Sequence, residues 1–210
     1  MAVSTRPARS EGRRYLMDIA IDCFARFGYQ GASIDRIAKA AGLTKGAIYY
    51  HFTDKEELLF EAVKNRVTQF ERRVTSDLGT IREPVKALQR VTEVCLEHAT
   101  RSNHRRLIVT LMVEALDTNA RLSAQFRKMM HRFRAFLRGI IEVGQDQGVF
   151  RADVSATTAA GVYAGAVMGA EIEYYQDPKR IDLGEHLRTF LDSYLTWLAA
   201  PARPARRKSA

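Results

Sequence analysis

The chain has 210 residues, of which 46% are hydrophobic and 27% are charged, a composition typical of one mid-sized globular domain or two small ones. Its 13 glycines and 5 prolines are too few for a collagen-like or wholly disordered chain. The 33 Lys and Arg residues exceed the 24 Asp and Glu residues, and the formal charge of +9 favours a polyanionic partner, either nucleic acid or an anionic membrane surface.

The two ends of the chain lack the periodicity of a folded segment. Residues 1–12 and 201–210 combine Pro, Ala, Ser and Arg, and we expect both to be disordered basic arms. The first of them leads into no apolar segment with a cleavage site, so it does not have the pattern of a secretory signal. We therefore expect a cytoplasmic protein.

Between these arms, apolar residues recur with the 3.6-residue period of α-helices. Gly28 is expected to end the first helix, and the second is expected to run from an N-cap at Ser33 to Gly42. Thr44 is expected to cap a very short third helix and Asp54 a fourth. Further helical patterns cover 82–100, 105–116, 119–147, 155–175 and 183–199. Because strand-like alternation is absent, we predict an all-α fold of roughly nine helices.

The most apolar stretch of the sequence is 154–170, which contains no charged residue. A helix of that length is about 25 Å long, which is shorter than the roughly 30 Å hydrocarbon core of a bilayer. The stretch also contains Ser, Thr and Tyr residues. We therefore predict a buried helix and no membrane partner.

Sequence motifs of enzymes are absent: there is no HExxH, no GxxxxGK[ST], no GxGxxG and no GxSxG. The two cysteines are 72 positions apart and form no CxxC pair of the kind that holds zinc. We expect no catalytic residue, no metal and no cofactor.

The segment 33–52, SIDRIAKAAGLTKGAIYYHF, has the spacing of a helix-turn-helix, in which a tight turn at Gly42 joins two short helices. Leu43, Ala47, Ile48 and Phe52 are expected to pack back onto the preceding helices. The polar and small residues of the second short helix then project outward, as they do in a helix that enters a major groove.

These outward residues suit the surface of DNA. Lys45 can donate to guanine O6 and N7 or to a phosphate, and small side chains at 46 and 47 let the backbone approach the bases. Tyrosine and histidine side chains can donate to phosphate oxygens, and helix N-termini also bind anions. The candidate DNA-binding residues are Ser33, Thr44, Lys45, Gly46, Ala47, Tyr49, Tyr50, His51 and Lys55.

Residues 20–63 resemble the DNA-binding domain of the TetR family of bacterial transcriptional regulators, through the pattern A..CFARFGY.GAS...IA..AG.TKGAIYYHF..KEEL. The resemblance implies an all-helical homodimer with a DNA-binding domain at 13–60 and an effector-binding and dimerisation domain at 61–200. It also implies a DNA-contacting role for each candidate residue above except Ala47.

The last two helical patterns carry features of an interface. Three glycines spaced four residues apart form a flat stripe on which another backbone can lie close, and the final helix is more apolar than one intrachain contact needs. Both helices could pack inside one monomer, but we expect a bundle of two helices from each of two subunits. The candidate interface residues are Gly161, Gly165, Gly169, Leu187, Phe190, Leu191, Tyr194 and Trp197.

The middle helices combine methionines and aromatic rings with a few polar groups, a composition that suits an adaptable ligand pocket but is more often that of plain core. If the carboxylate of Glu171 is buried, it would favour a cationic ligand or an arginine. The candidate effector residues are Cys95, His98, Met112, Met129, Phe133, Phe136, Tyr163, Met168, Glu171 and Tyr174.

Together these features predict a one-component regulator that acts as a repressor. It would bind a palindromic operator of double-stranded DNA as a homodimer and be released by a small amphipathic or apolar effector. Two alternatives stay open: an activator of the same family, and a helical small-molecule carrier that binds no operator. An enzyme is not expected.

Overall fold

The computed structural model describes residues 9–78, 81–101 and 103–201. Within these ranges it has nine α-helices and no strand, which confirms the all-α prediction. Phe150 and Ala199 form one isolated antiparallel bridge. The helices are α1 (Arg9–Gly31), α2 (Ile34–Ala41), α3 (Lys45–Tyr49), α4 (Lys55–Leu78), α5 (Pro84–Arg101), α6 (Asn103–Thr118), α7 (Ala120–Asp146), α8 (Ala156–Gln176) and α9 (Leu183–Leu198).

The predicted helix caps are present and explain where α2, α3 and α4 begin. The Ser33 hydroxyl accepts from the backbone N–H of Arg36 at 3.2 Å, and the Thr44 hydroxyl accepts from that of Ala47 at 3.3 Å. The Asp54 carboxylate accepts from the backbone N–H of Glu57 at 2.7 Å. Each bond satisfies a backbone donor that has no partner inside its helix.

The first helix differs from its prediction at both ends. Its helical geometry breaks at Gly28 (φ 69°, ψ 171°) as expected, but a further turn continues to Gly31. At the other end α1 begins at Arg9, so the disordered arm predicted for residues 1–12 is wrong for residues 9–12. The Arg13 guanidinium lies 3.2 Å from the Glu61 carboxylate and above the Phe52 ring, which holds this end of α1 in place. The rest of that arm and residues 202–210 lie outside the described residues.

The chain divides into two compact units at positions other than the predicted domain boundary. The first unit contains the described residues up to 73 together with His98–Lys128, and the second contains Val74–Glu97 and the described residues from Met129 onward. The predicted boundary between residues 60 and 61 lies inside α4 and stays a prediction. The helix α6 belongs to the first unit because it packs on α1.

In the first unit, the buried side chains that hold the short helices include Phe24 of α1, Ile37 of α2, Ile48 of α3 and the nearby Phe52. The expected inward packing of Ile48 and Phe52 is confirmed. That of Leu43 is wrong, because its side chain is 42% exposed in the turn before α3.

In the second unit, α9 packs on α8 around buried tyrosines. The hydroxyl of Tyr163 is hydrogen-bonded to the Thr92 hydroxyl (2.6 Å) and to the Leu88 carbonyl (3.1 Å), and the hydroxyl of Tyr194 donates to the Ala159 carbonyl at 2.9 Å. These bonds offset the cost of burying the hydroxyl groups. Among the helices of the described residues, α8 included, we find none with the length and apolar character that a membrane span requires.

Candidate nucleic-acid interface

The helices α2 and α3 form a helix-turn-helix whose geometry depends on Gly42. This residue ends α2 with left-handed backbone angles (φ 65°, ψ 29°), which residues with a Cβ rarely adopt. The chain then reverses, and the Thr44 cap starts α3 three residues after the last residue of α2. Because α2 and α3 contact each other and Ile48 is buried, one side of α3 is held and the other faces solvent.

The solvent-facing side of this motif carries most of the predicted DNA-binding residues. Tyr49 and Tyr50 are 53% and 63% exposed, and His51 is half-buried with its ring edge-on to that of Tyr50 at 5.0 Å between centroids. A Cβ on Gly46 would have only the Thr44 hydroxyl nearby, at 3.7 Å. The remaining exposed candidates are Ser33, Thr44, Lys45 and Gly46, whereas Ala47 is half-buried. These exposed side chains form a polar and aromatic surface with a helix at its centre.

Lys45 has an acidic partner that the sequence reasoning missed. Its ammonium lies 2.7 Å from a carboxylate oxygen of Asp35, in the first turn of α2, and both side chains are more than half exposed. The hydrogen bond from Lys45 to Asp35, and then the negative charge of that carboxylate, raise the pKa of Lys45. The two residues are ten positions apart, so their contact depends on the geometry of the turn and has no signal in local periodicity.

Lys55 has a structural role in addition to the predicted phosphate contact. Its ammonium donates to the backbone carbonyl of Tyr29 at 3.0 Å and lies 4.2 Å from the centroid of the Tyr29 ring. Tyr29 belongs to the last turn of α1, where backbone carbonyls lack helical partners. Lys55 therefore joins the start of α4 to the end of α1.

The candidate effector residues are divided between the two units. His98 and Met112 lie in the first unit and the other eight in the second. The His98 ring packs on that of Phe70 at 4.7 Å between centroids. Burial, and then the positive charges of Arg105 and three further basic side chains, lower the pKa of His98 to about 4. His98 is therefore neutral at pH 7.

Among the eight candidates of the second unit, Tyr163 has the best-defined surroundings. It is fully buried, both hydrogen bonds of its hydroxyl are made inside the core, and the rings of Phe190 and Tyr194 pack edge-on against it. This environment is that of a core residue. The other buried candidates are Cys95, Met129 and Glu171, and the half-buried ones are Phe133, Phe136, Met168 and Tyr174.

The candidate interface residues fall into a buried group and an exposed group. Leu187, Leu191 and Tyr194 are buried within the chain and Phe190 is half-buried, so their surface is already largely covered by the chain itself. A Cβ added to any of the three stripe glycines, in contrast, would meet nothing within 4 Å. The stripe is flanked by the exposed Val162, and Trp197 of α9 is 40% exposed. Among the candidates, the stripe glycines and Trp197 are the least covered by the chain, and the interface stays a prediction.

Two family models match the chain. The model "Bacterial regulatory proteins, tetR family" matches residues 16–62, and the model "Tetracyclin repressor-like, C-terminal domain" matches residues 84–166. Together they match more than half of the chain. The first of these segments includes α2, the turn and α3.

Proteins that are named as transcriptional regulators match this chain over nearly their whole length. The HTH-type transcriptional regulator SrpR of Pseudomonas putida is 25% identical over 203 residues, which cover 97% of this chain and 92% of the relative. The HTH-type transcriptional repressor BepR of Brucella suis is 25% identical over 202 residues, covering 94% of this chain and 97% of the relative. A Saccharomonospora viridis protein solved in complex with choline has a TM-score of 0.81 at 26% identity, covering 90% of this chain and 97% of its own. The chain belongs to the TetR family of bacterial transcriptional regulators.

Proposed function

We propose that this regulator is a repressor that binds a palindromic operator as a homodimer and leaves it when a small amphipathic or apolar effector binds. The observation that carries the proposal is the exposed surface at α3. It presents the side chains of Lys45, Tyr49 and Tyr50, and its backbone is uncovered at Gly46, which has no side chain. Such a face fits a major groove, where lysine reads guanine and tyrosine hydroxyls donate to phosphates.

We infer the homodimer from the number of recognition helices. The described chain has a single helix-turn-helix, and one short helix of five residues reads few base pairs. Two subunits would place two such helices in successive major grooves, with half-site centres about 34–36 Å apart. The exposed glycine stripe of α8 supports this arrangement, because small side chains let a second α8 approach closely.

The effector proposal rests on the side chains of the second unit and on one relative. Met129, Phe133, Phe136, Met168 and Tyr174 supply apolar and aromatic surface that is half-buried or buried. The Saccharomonospora viridis relative was solved with choline, a small molecule with a cationic head. We infer that this chain also binds a small molecule, through side chains of α7 and α8.

The decisive experiment is a selection of bound sequences from random DNA duplexes with the purified full-length protein. We expect an inverted repeat with half-site centres one helical turn apart. Lys45→Ala should weaken binding to the selected sequence by about 5- to 100-fold and binding to random duplexes far less, because it removes a base contact.

Lys86→Ala is the matched control for this substitution. Lys86 is also exposed and also pairs with a carboxylate at 2.7 Å, that of Glu83, but it belongs to α5 and not to the helix-turn-helix segment of the chain. We expect it to leave operator affinity unchanged. A selection that enriches no sequence would reject operator binding and favour the carrier alternative.

The direction of control is tested separately, with a reporter gene placed behind the selected operator. We expect the protein to lower expression and an added effector to restore it. If expression rises when the protein is present, the activator alternative is correct.

A further inference from the structure

We propose that Asp35 is a specificity-determining residue, which together with Lys45 reads one G·C base pair in each half of the operator. The inference rests on the proposed function, because it requires α3 to enter a major groove. It assigns a role to an α2 residue that the motif itself does not single out.

The structure holds the two side chains together at the exposed surface of the motif. The ammonium of Lys45 and a carboxylate oxygen of Asp35 are 2.7 Å apart, with the side chains 54% and 68% exposed. Both lie in the first turn of a capped helix: Lys45 directly follows Thr44, and Asp35 lies two residues after Ser33. The two helix caps and the left-handed turn at Gly42 fix the backbone positions of Asp35 and Lys45.

The charge of Asp35 determines which partners it can have on DNA. A carboxylate is repelled by phosphates, so its favourable contacts in a major groove are the amino groups of bases. The cytosine N4 amino group is the donor from which Asp and Glu typically accept. Lysine, in turn, typically donates to O6 and N7 of guanine.

A G·C base pair presents these groups side by side in the major groove, an acceptor on guanine next to a donor on cytosine. The Lys45–Asp35 pair presents the complement, a donor next to an acceptor. An A·T pair also places a donor beside an acceptor, but guanine offers Lys45 two acceptors where thymine offers one. The arrangement therefore favours G·C, with guanine on the Lys45 side.

Removing the carboxylate should relax the specificity at that one base pair. Asp35→Asn preserves the size of the side chain but provides a neutral amide, which has both donors and an acceptor. In the selection with Asp35→Asn, we expect the preference for G·C at one position of each half-site to fall by about 5-fold or more. The rest of the repeat should be retained. Lys45→Ala should change the same position.

Two variants separate this role from a general effect of charge. Glu56→Gln removes an exposed first-turn carboxylate of α4 in the same unit, without contact to Lys45, and should leave the selected sequence unchanged. Asp35→Glu keeps the carboxylate and should largely retain the G·C preference. If thermal unfolding shows that Asp35→Asn is not folded, Asp35→Ser serves the same test, because serine is well tolerated near a helix N-terminus.

Three results would overturn the inference. The Asp35→Asn protein could select the same sequence with the same strength at every position, Asp35→Asn and Lys45→Ala could alter different positions, or the shared position could be A·T. In each of these cases the wild-type protein still selects an operator, so the proposed function stands. If the wild-type protein selects no sequence, the proposed function fails and this inference fails with it.

Discussion

Lys45 and Lys55 lie ten residues apart in and beside the helix-turn-helix, and their surroundings give them different roles. Lys45 is exposed and pairs with an exposed carboxylate, an arrangement that stabilises a fold very little. Lys55 is half-buried and donates to the Tyr29 carbonyl at the end of α1. A charged donor at a helix C-terminus also interacts favourably with the helix dipole. The two lysines should therefore differ in what their removal costs.

Lys55→Met should lower the free energy of unfolding by about 1 kcal/mol, because it leaves the Tyr29 carbonyl without its charged donor while keeping the aliphatic stem. Urea denaturation measures this change. Lys64→Met is the control, since Lys64 is an exposed α4 lysine whose ion pair with Glu61 is 3.4 Å long, and it should change stability by less than about 0.5 kcal/mol. Equal effects of the two substitutions would show that Lys55 has no structural role.

The turn between α2 and α3 depends on the backbone conformation of one residue. Gly42 has φ 65°, whereas Gly46, four residues later, lies in the helical backbone of α3. The two glycines therefore have different structural roles. Gly42 allows the turn, and Gly46 keeps the exposed face of the recognition helix free of a side chain.

Gly42→Ala should lower the free energy of unfolding by about 1 to 2 kcal/mol, because a Cβ is unfavourable in the left-handed region. Gly46→Ala should leave stability unchanged or raise it by about 0.5 kcal/mol, because alanine is the better helix former. Its new Cβ meets only an ordinary contact, 3.7 Å from the Thr44 hydroxyl. Urea denaturation of both variants provides the comparison, and a Gly42→Ala protein as stable as Gly46→Ala would contradict the prediction.

The proposed function requires two copies of the chain. The open surface of α8 includes the exposed Gly165 and Gly169 with the half-buried Gly161, and the exposed Val162 lies beside this stripe. A side chain at Gly165 would meet no other atom of its own chain within 4 Å of the Cβ. A large residue there should leave the subunit folded and prevent a second α8 from approaching.

Gly165→Arg should prevent the proposed dimer from forming and weaken operator binding by more than about 10-fold, because the two half-sites would no longer be bound as one unit. Size-exclusion chromatography with light scattering measures the first effect and a DNA-binding titration the second. Gly139→Arg is the control, since a Cβ on this α7 glycine also meets nothing within 4 Å. If the Gly165→Arg protein remains dimeric, the dimer uses another surface.

Local sequence patterns were sufficient to predict the helices, their caps and the helix-turn-helix. The caps at Ser33, Thr44 and Asp54 and the turn at Gly42 were all predicted correctly. These features depend on hydrogen bonds and steric limits within about four residues along the chain, so local sequence contains the information.

Which side chains from different helices meet depends on the tertiary packing and could not be predicted from local sequence. In the folded chain Lys45 pairs with Asp35, Lys55 donates to Tyr29, Leu43 is exposed, and α6 packs on α1. Leu187 and Tyr194, which were expected at a dimer interface, are buried within the chain. Helical periodicity shows that a face is apolar but not what covers it, because the partner depends on how helices distant in the chain pack together.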